Sequence, residues 1–242
     1  MFYKEKTRKN IFGVVIALGV ILGIIFSPIK LSLVISGSME PNIPTNSMYM
    51  INTAIPYGIV RVGEGYGTVT ELLNAVSVTK LIRENPNDLT EAAKYYIDML
   101  KSIHAIDVED GEVPDMKETA LAWANFVSPH LPEEEATKLR DLINAVPKRN
   151  TLLHGDYHTN NIMVQNKEPL LIDMDTLCMG HPVFELGSMF NAFVGYSELN
   201  HQNMFDFFGY SFETAGKFWK MILKMYLETE DDALCDSIAD KA

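Results

Sequence analysis

LLHGDYHTNNIMVQNKEPLLIDMD, residues 152–175, decides how the rest of the chain is read. Thr151 to Leu153 are β-branched or apolar, and His154-Gly155-Asp156 then opens a loop crowded with His, Asp and Asn. Ile162-Met163-Val164 is a second short apolar run. Gln165 to Glu168 is a turn, and Leu170-Leu171-Ile172 is apolar again, with Asp173 and Asp175 directly behind it. The pattern is strand, polar loop, strand, turn, strand. It delivers carboxylates and an amide to one loop edge, which suits phosphate chemistry assisted by a divalent metal. Asp156 is placed to accept a proton from an attacking hydroxyl. Asn161 and Asp173 offer the hard oxygens that Mg²⁺ takes in small number beside water and phosphate. The plainer alternative is a hairpin whose polar turns happen to contain Asp and Asn.

Two spacings decide between these readings. His-Gly-Asp is followed after four residues by Asn161, and Ile172-Asp173-Met174-Asp175 comes about a dozen residues later. This resembles the aminoglycoside phosphotransferase and choline kinase-like family, whose catalytic loop has the form HGDxxxxN and whose metal-binding Asp lies in an ID-x-D/E segment. The resemblance implies Asp156 as catalytic base and Asn161 and Asp173 as Mg²⁺ ligands, with Asp175 beside them. It sets His154 and His158 in the catalytic loop as residues that shape it. The segment GHPVFELGSMF resembles the family's GDP-x-x-DLA, with Glu185 in the Asp position and His181 where an Asp is usual. ATP and Mg²⁺ are the implied cofactors.

The chain has 242 residues, 47% hydrophobic and 21% charged, enough for one large domain or two small ones with a real core. Net charge is −12. No basic stripe with interleaved aromatics is present, so nucleic acid is not an expected partner. Acidity would suit a cationic small-molecule substrate. Cys178 and Cys235 are the only cysteines, lack metal spacing and imply no disulfide framework.

The N-terminal fifty residues read differently. Lys4, Lys6, Arg8 and Lys9 precede Ile11 to Phe26, sixteen residues without a charge. As a helix this run spans roughly 24 Å at 1.5 Å per residue, and continuing through Ile29 nearly reaches a ~30 Å hydrocarbon core. The cationic flank predicts a single-pass membrane anchor with its N-terminus in the cytoplasm. Leu31 to Asn46 then contains Ser36-Gly37-Ser38-Met39-Glu40-Pro41. An anchor followed by SGSMEP-x-IP resembles type I signal peptidase, which implies Ser38 as nucleophile and Ser36 beside the oxyanion hole. A Ser nucleophile needs a base, and between Ser38 and Lys80 there is no Lys or His. No peptidase activity is therefore expected. Residues 46–53 read as a junction between two truncated sequences.

From residue 54 the text resembles the kinase-like family again. Tyr57 to Val62 and Tyr66 to Leu72 form a hairpin around Gly63-Glu64-Gly65, with these glycines as turn punctuation. By resemblance this is the end of the N-lobe. Glu71, Leu72, Leu73 and Asn74 would be the hinge whose backbone meets adenine. Helices are predicted from Ser77 to Arg83, Thr90 to Ile106 with Thr90 as N-cap, Met116 to Val127, Pro132 to Val146, Pro182 to Val194, Thr214 to Glu228 and Asp231 to Asp240. Ala92, Tyr96, Met99, Leu100 and Ile103 share one face, and Phe218, Trp219, Ile222 and Tyr226 are predicted core.

The expected fold is α+β and protein kinase-like, of the aminoglycoside phosphotransferase type. It has a truncated β N-lobe, a mainly helical C-lobe and one preceding transmembrane helix. The expected function is ATP-dependent phosphorylation of a hydroxyl on a small substrate. Turnover is expected to be impaired, because the phosphate-covering loop and strand Lys of the family are replaced by the anchor segment. A peptidase fragment and a non-catalytic membrane-tethered binding module are the alternatives.

Overall fold

The computed structural model describes residues 56–239, apart from Glu64 and Glu71. Ile11–Phe26, Ser36 and Ser38 lie outside the described residues, so the anchor and the peptidase-like nucleophile carry no structural account. The described chain divides between Asn74 and Ala75 into two units.

The first unit is the expected hairpin. β1 (Pro56–Val62) pairs antiparallel with β2 (Gly65–Thr70), Val62 opposite Gly65. Gly63 holds the connection at φ 62°, a region that residues with a Cβ enter at a cost. Leu72, Leu73 and Asn74 follow without regular structure.

In the second unit, β3 (Val76–Ser77) leads straight into α1 (Val78–Glu84). The Ser77 hydroxyl accepts the Lys80 N–H at 3.2 Å and caps that helix. α2 (Thr90–His104) buries Ala92, Tyr96, Met99, Leu100 and Ile103, the face expected from their spacing. Its cap differs from expectation. Thr90 is the first helical residue, the N-cap is Leu89 without a side-chain cap bond, and Asp88 Oδ1 accepts the Thr90 N–H at 3.1 Å. A carboxylate gains from the positive end of the helix as a hydroxyl does not, and the bond holds the Asp88 carboxyl below its ordinary pKa. α3 (Met116–Val127) is capped by Asp115, and α4 (Glu133–Ala145) starts behind Pro132 with three glutamates in its first turn.

Two small sheets carry the 152–175 segment. β4 (Thr151–Leu153) pairs antiparallel with β7 (Cys178–Gly180), Leu153 opposite Cys178. β5 (Ile162–Gln165) lies between β3 and β6 (Glu168–Leu171). Its connection to β6 is the two-residue turn Asn166-Lys167, at φ 54° and 66°. That is the twist-matched turn that short hairpins favour.

The remaining elements are helical: α5 (Val183–Phe190), a wide π turn at Asn191–Gly195, α6 (Tyr196–Glu198), α7 (Gln202–Phe208), α8 (Phe212–Leu227) and α9 (Asp232–Ala239). The single helix expected to run from Pro182 to Val194 is thus interrupted after Phe190, and α7 and β7 were not expected at all. Phe218, Trp219 and Ile222 are buried, with Tyr226 half-buried beside them. Tyr96, Phe193 and Phe218 form a ring cluster with centroids 5.4 to 5.8 Å apart. Both cysteines are free and buried. Among the described residues, no helix is long and apolar enough to cross a membrane.

Candidate active site

The end of β4 delivers His154, Gly155 and Asp156. The end of β6 delivers Asp173, and Asn161 immediately precedes β5. The backbone closes this arrangement. Ile172 N–H donates to the Asn161 carbonyl at 3.0 Å, and Asn161 N–H donates to the His158 carbonyl at 3.0 Å.

His154 is fully buried and joins the two strand ends. The Asp156 N–H donates to its Nδ1 at 3.2 Å, and its Nε2 lies 3.1 Å from the Ile172 carbonyl. A carbonyl can only accept, so Nε2 carries the proton and the imidazole is a fixed, neutral tautomer. Both of its ring nitrogens are taken by these contacts.

Gly155 sits at φ 83°, and an added Cβ would collide with the Thr176 carbonyl oxygen. Only glycine lets the loop turn here. The Thr176 hydroxyl donates back to the His154 carbonyl at 2.8 Å. Tyr157 and Tyr96 exchange hydroxyl-to-carbonyl bonds of 2.6 and 2.8 Å, which fasten the loop to α2.

Beneath the loop lies a buried carboxylate. Glu185 is 1% exposed. Its Oε2 accepts the His154 N–H at 2.9 Å and its Oε1 accepts the Gly155 N–H at 2.8 Å. His104 Nε2 lies 3.2 Å from Oε2, and Tyr226 Oη lies 2.8 Å from His104 Nδ1. Tyr226 O–H to Nδ1, then Nε2–H to Glu185, is a consistent chain of donors. α2, α5 and α8 thus meet on the two peptide N–H groups that aim Asp156. Sequence reasoning placed Glu185 through its segment but missed His104 and Tyr226. A lone His in the last turn of an amphipathic helix gives no such signal. His181, the departure from the family's Asp, accepts the Val183 N–H at 3.1 Å through Nδ1. Burial pulls its pKa down, and a neutral ring can accept.

Asp156 itself is half-exposed, and its Oδ2 lies 3.5 Å from His158 Nε2. The Asn161 amide donates to the Asp156 carbonyl at 3.0 Å and to Oδ2 at 3.4 Å. The bond from His158 holds the Asp156 carboxyl below its ordinary pKa despite partial burial. Asp173 goes the other way. It sits at φ 60°, and burial together with the neighbouring Asp175 raises its pKa. A carboxyl whose pKa is raised by burial and by a second carboxylate beside it is short of a cation. Among the described residues, no three His, Cys, Asp or Glu side chains converge to hold a metal on their own. A cation here would instead take the Asn161 amide oxygen, Asp173 and then Asp175, with phosphate or water oxygens for the rest, and that sparse oxygen set fits Mg²⁺. The sequence-predicted residues 154, 156, 158, 161, 173 and 175 all lie on this one loop edge.

A family model described as "Phosphotransferase enzyme family" matches residues 50–210, two thirds of the chain, including His104, the 152–175 segment and Glu185. The chain belongs to the phosphotransferase enzyme family. Its mixed helix-and-sheet architecture is the protein kinase-like fold of that family, and the protein is a phosphotransferase. Among solved structures, it is similar to a thermostable mutant of an aminoglycoside phosphotransferase in ternary complex with ADP and hygromycin B. The identity there is 14% and the TM-score 0.43, over 81% of this chain and 79% of that one. An amicoumacin kinase in complex with AMP-PNP, Ca²⁺ and Ami gives 16% and 0.45, over 79% and 61%. A choline/ethanolamine kinase family protein from Mesorhizobium loti gives 15% and 0.38, over 78% and 73%. No curated protein matches the chain. The family match carries the assignment, and these likenesses add nothing to it.

Proposed function

We propose that the phosphotransferase moves the γ-phosphoryl group of ATP to a hydroxyl of a small acceptor, with Asp156 as base. The observation that carries the reading is the half-exposed Asp156, aimed by two Glu185-bound peptide groups and flanked by the Asn161 amide. The acceptor hydroxyl donates a hydrogen bond to Asp156. As its oxygen bonds to phosphorus, the bond from phosphorus to the ADP oxygen breaks, and the proton passes to the carboxylate. A carboxyl with a lowered pKa is a weak base. Asp156 therefore orients the hydroxyl first and takes the proton late, which suits a loose phosphoryl-transfer transition state. Asn161, Asp173 and Asp175 would hold Mg²⁺, which when bound neutralises phosphate charge. His154 keeps the loop in register, and Glu71 to Asn74 remain our hinge segment for the adenine.

The anchor at Ile11–Phe26 stands as part of this proposal, and so does slow turnover, since neither β1 nor β2 carries a Lys. Neither the peptidase fragment nor the non-catalytic module has an observation in its favour. The test uses radiolabelled ATP with Mg²⁺ and a panel of glucosamine, choline and hygromycin B. Label transferred by the unsubstituted protein and lost in Asp156→Ala supports the reading. Transfer undiminished by that substitution overturns it.

A further inference from the structure

The helix α7 has a sequence, Gln202-Asn203-Met204-Phe205-Asp206-Phe207-Phe208, that nothing in the catalytic reading uses. Phe208 and Met204 are buried, whereas Phe205 and Phe207 are 57% and 53% exposed. The two exposed rings differ in their surroundings. Phe207 stands perpendicular to Phe208, at a centroid distance of 4.6 Å, and perpendicular to His158, at 5.7 Å. His158 also packs on Phe208 at 5.9 Å, and its Nε2 is the group that meets Asp156. Its Nδ1 is buried without a hydrogen-bond partner, so rings and the Asp156 contact hold this imidazole in place. An exposed benzyl ring is thus braced on two sides, one imidazole away from the base.

Large exposed aromatics cost solubility, and one already fixed in place loses little entropy when a ligand covers it. We infer that Phe207 is an acceptor-contact residue, whose free face receives an apolar or C–H-bearing surface of the acceptor while the acceptor's hydroxyl meets Asp156. This rests on the phosphotransfer reading and deepens it. The ring selects acceptors that carry such a surface next to the reacting hydroxyl, and a compact polyol such as glycerol gains nothing from it.

The test measures label transfer from ATP to glucosamine, choline, hygromycin B and glycerol by the full chain and by Phe207→Ala, Phe207→Leu, Phe207→Tyr and Phe205→Ala. The expected result for Phe207→Ala is an acceptor KM raised about tenfold, the lower end for uncovering an aromatic side chain. The KM for ATP stays unchanged. Phe207→Leu falls between, Phe207→Tyr restores the acceptor KM, and Phe205→Ala leaves it as it was. The preference for acceptors with an apolar face over glycerol shrinks in step. An acceptor KM indifferent to Phe207→Ala overturns the assignment of Phe207 alone. So does a loss confined to kcat, which would set the ring behind His158 and not against the acceptor. No transfer by the unsubstituted protein to any of the four overturns the phosphotransfer reading on which it rests.

Discussion

Replacing Glu185 with Gln keeps volume and shape but removes the charge beneath the catalytic loop. In the native site Oε1 accepts the Gly155 N–H at 2.8 Å, and Oε2 accepts the His154 N–H at 2.9 Å as well as facing His104. An amide has one oxygen and one NH2. Whichever way it is turned, its NH2 faces a backbone N–H, two donors with no acceptor between them. The substitution therefore loses one hydrogen bond to a charged acceptor and strands a buried donor. Charge-assisted bonds contribute about 1.5–3 kcal/mol and a stranded donor costs about 1–3 kcal/mol, with overlap between the two, so a net loss of about 3 kcal/mol is expected. For a chain of this size that lowers Tm by roughly 6–12 °C. Urea denaturation followed by circular dichroism measures the loss, and radiolabel transfer measures its effect on the loop. Adding Tyr226→Phe should cost less in the Glu185→Gln background than in the native one, because the relay through His104 is already broken. A Glu185→Gln protein within about 0.5 kcal/mol of the native stability and with native turnover would refute this account.

Three further outcomes are expected. Asp156→Asn lowers phosphoryl transfer by about 10²–10⁴-fold, the span of general acid–base contributions. The bond from His158 holds its carboxyl below the ordinary value, so the proposed base stays ionised at neutral pH and is lost only as pH falls through that lowered value, which a pH–rate profile reads. Asp173→Asn is tolerated at φ 60°, since Asn enters the left-handed region readily. The native Asp173 has a raised pKa. Its cost to stability is absent below 3.8 and grows as pH rises through the folded value. At neutral pH without divalent cation the Asn variant should accordingly melt no lower than the native protein. It should also lose the Tm gain on adding Mg²⁺ that is expected of the native protein at pH 7 and not at pH 4. Gly155→Ala forces a Cβ onto the Thr176 carbonyl oxygen at a positive φ, and is expected to cost about 3 kcal/mol or to displace the loop. Thermal melts with parallel transfer assays distinguish these two outcomes.

The strand order of the 152–175 segment was legible because its information is local. Apolar runs of three or four residues, a glycine that must take positive φ, and carboxylates set at the strand ends all sit within twenty-five residues of one another. α2 was legible for a related reason, since one face of a fifteen-residue helix repeats often enough to be read. α7 was not. Seven residues give scarcely two turns, and hydrophobes at 204, 205, 207 and 208 fit no single face. The π turn at Asn191–Gly195 was equally hidden, because a widened turn alters the hydrogen bonding of an apolar helix without altering its composition. β7 has three residues and is a strand only because β4 lies beside it. Thr90 misled as a cap because the helix begins at Thr90 itself, behind a Leu89 that offers no side-chain acceptor, while Asp88 takes the Thr90 N–H. The tie from His104 to Glu185 and Tyr226 spans 81 and 122 residues. No local pattern announces a contact at that separation.

Those separations bear on the order in which the protein assembles. The two peptide groups that aim Asp156 are fixed by a side chain from α5, which is itself held by residues from α2 and α8. Loop closures of that length are slow to form and carry no reward until the helices have docked. The expected consequence is that the catalytic loop is the last part of this unit to reach its native geometry and the first to lose it. In mild urea, transfer activity should vanish ahead of the helical signal, with the helices still packed around a loop that no longer points at its substrate.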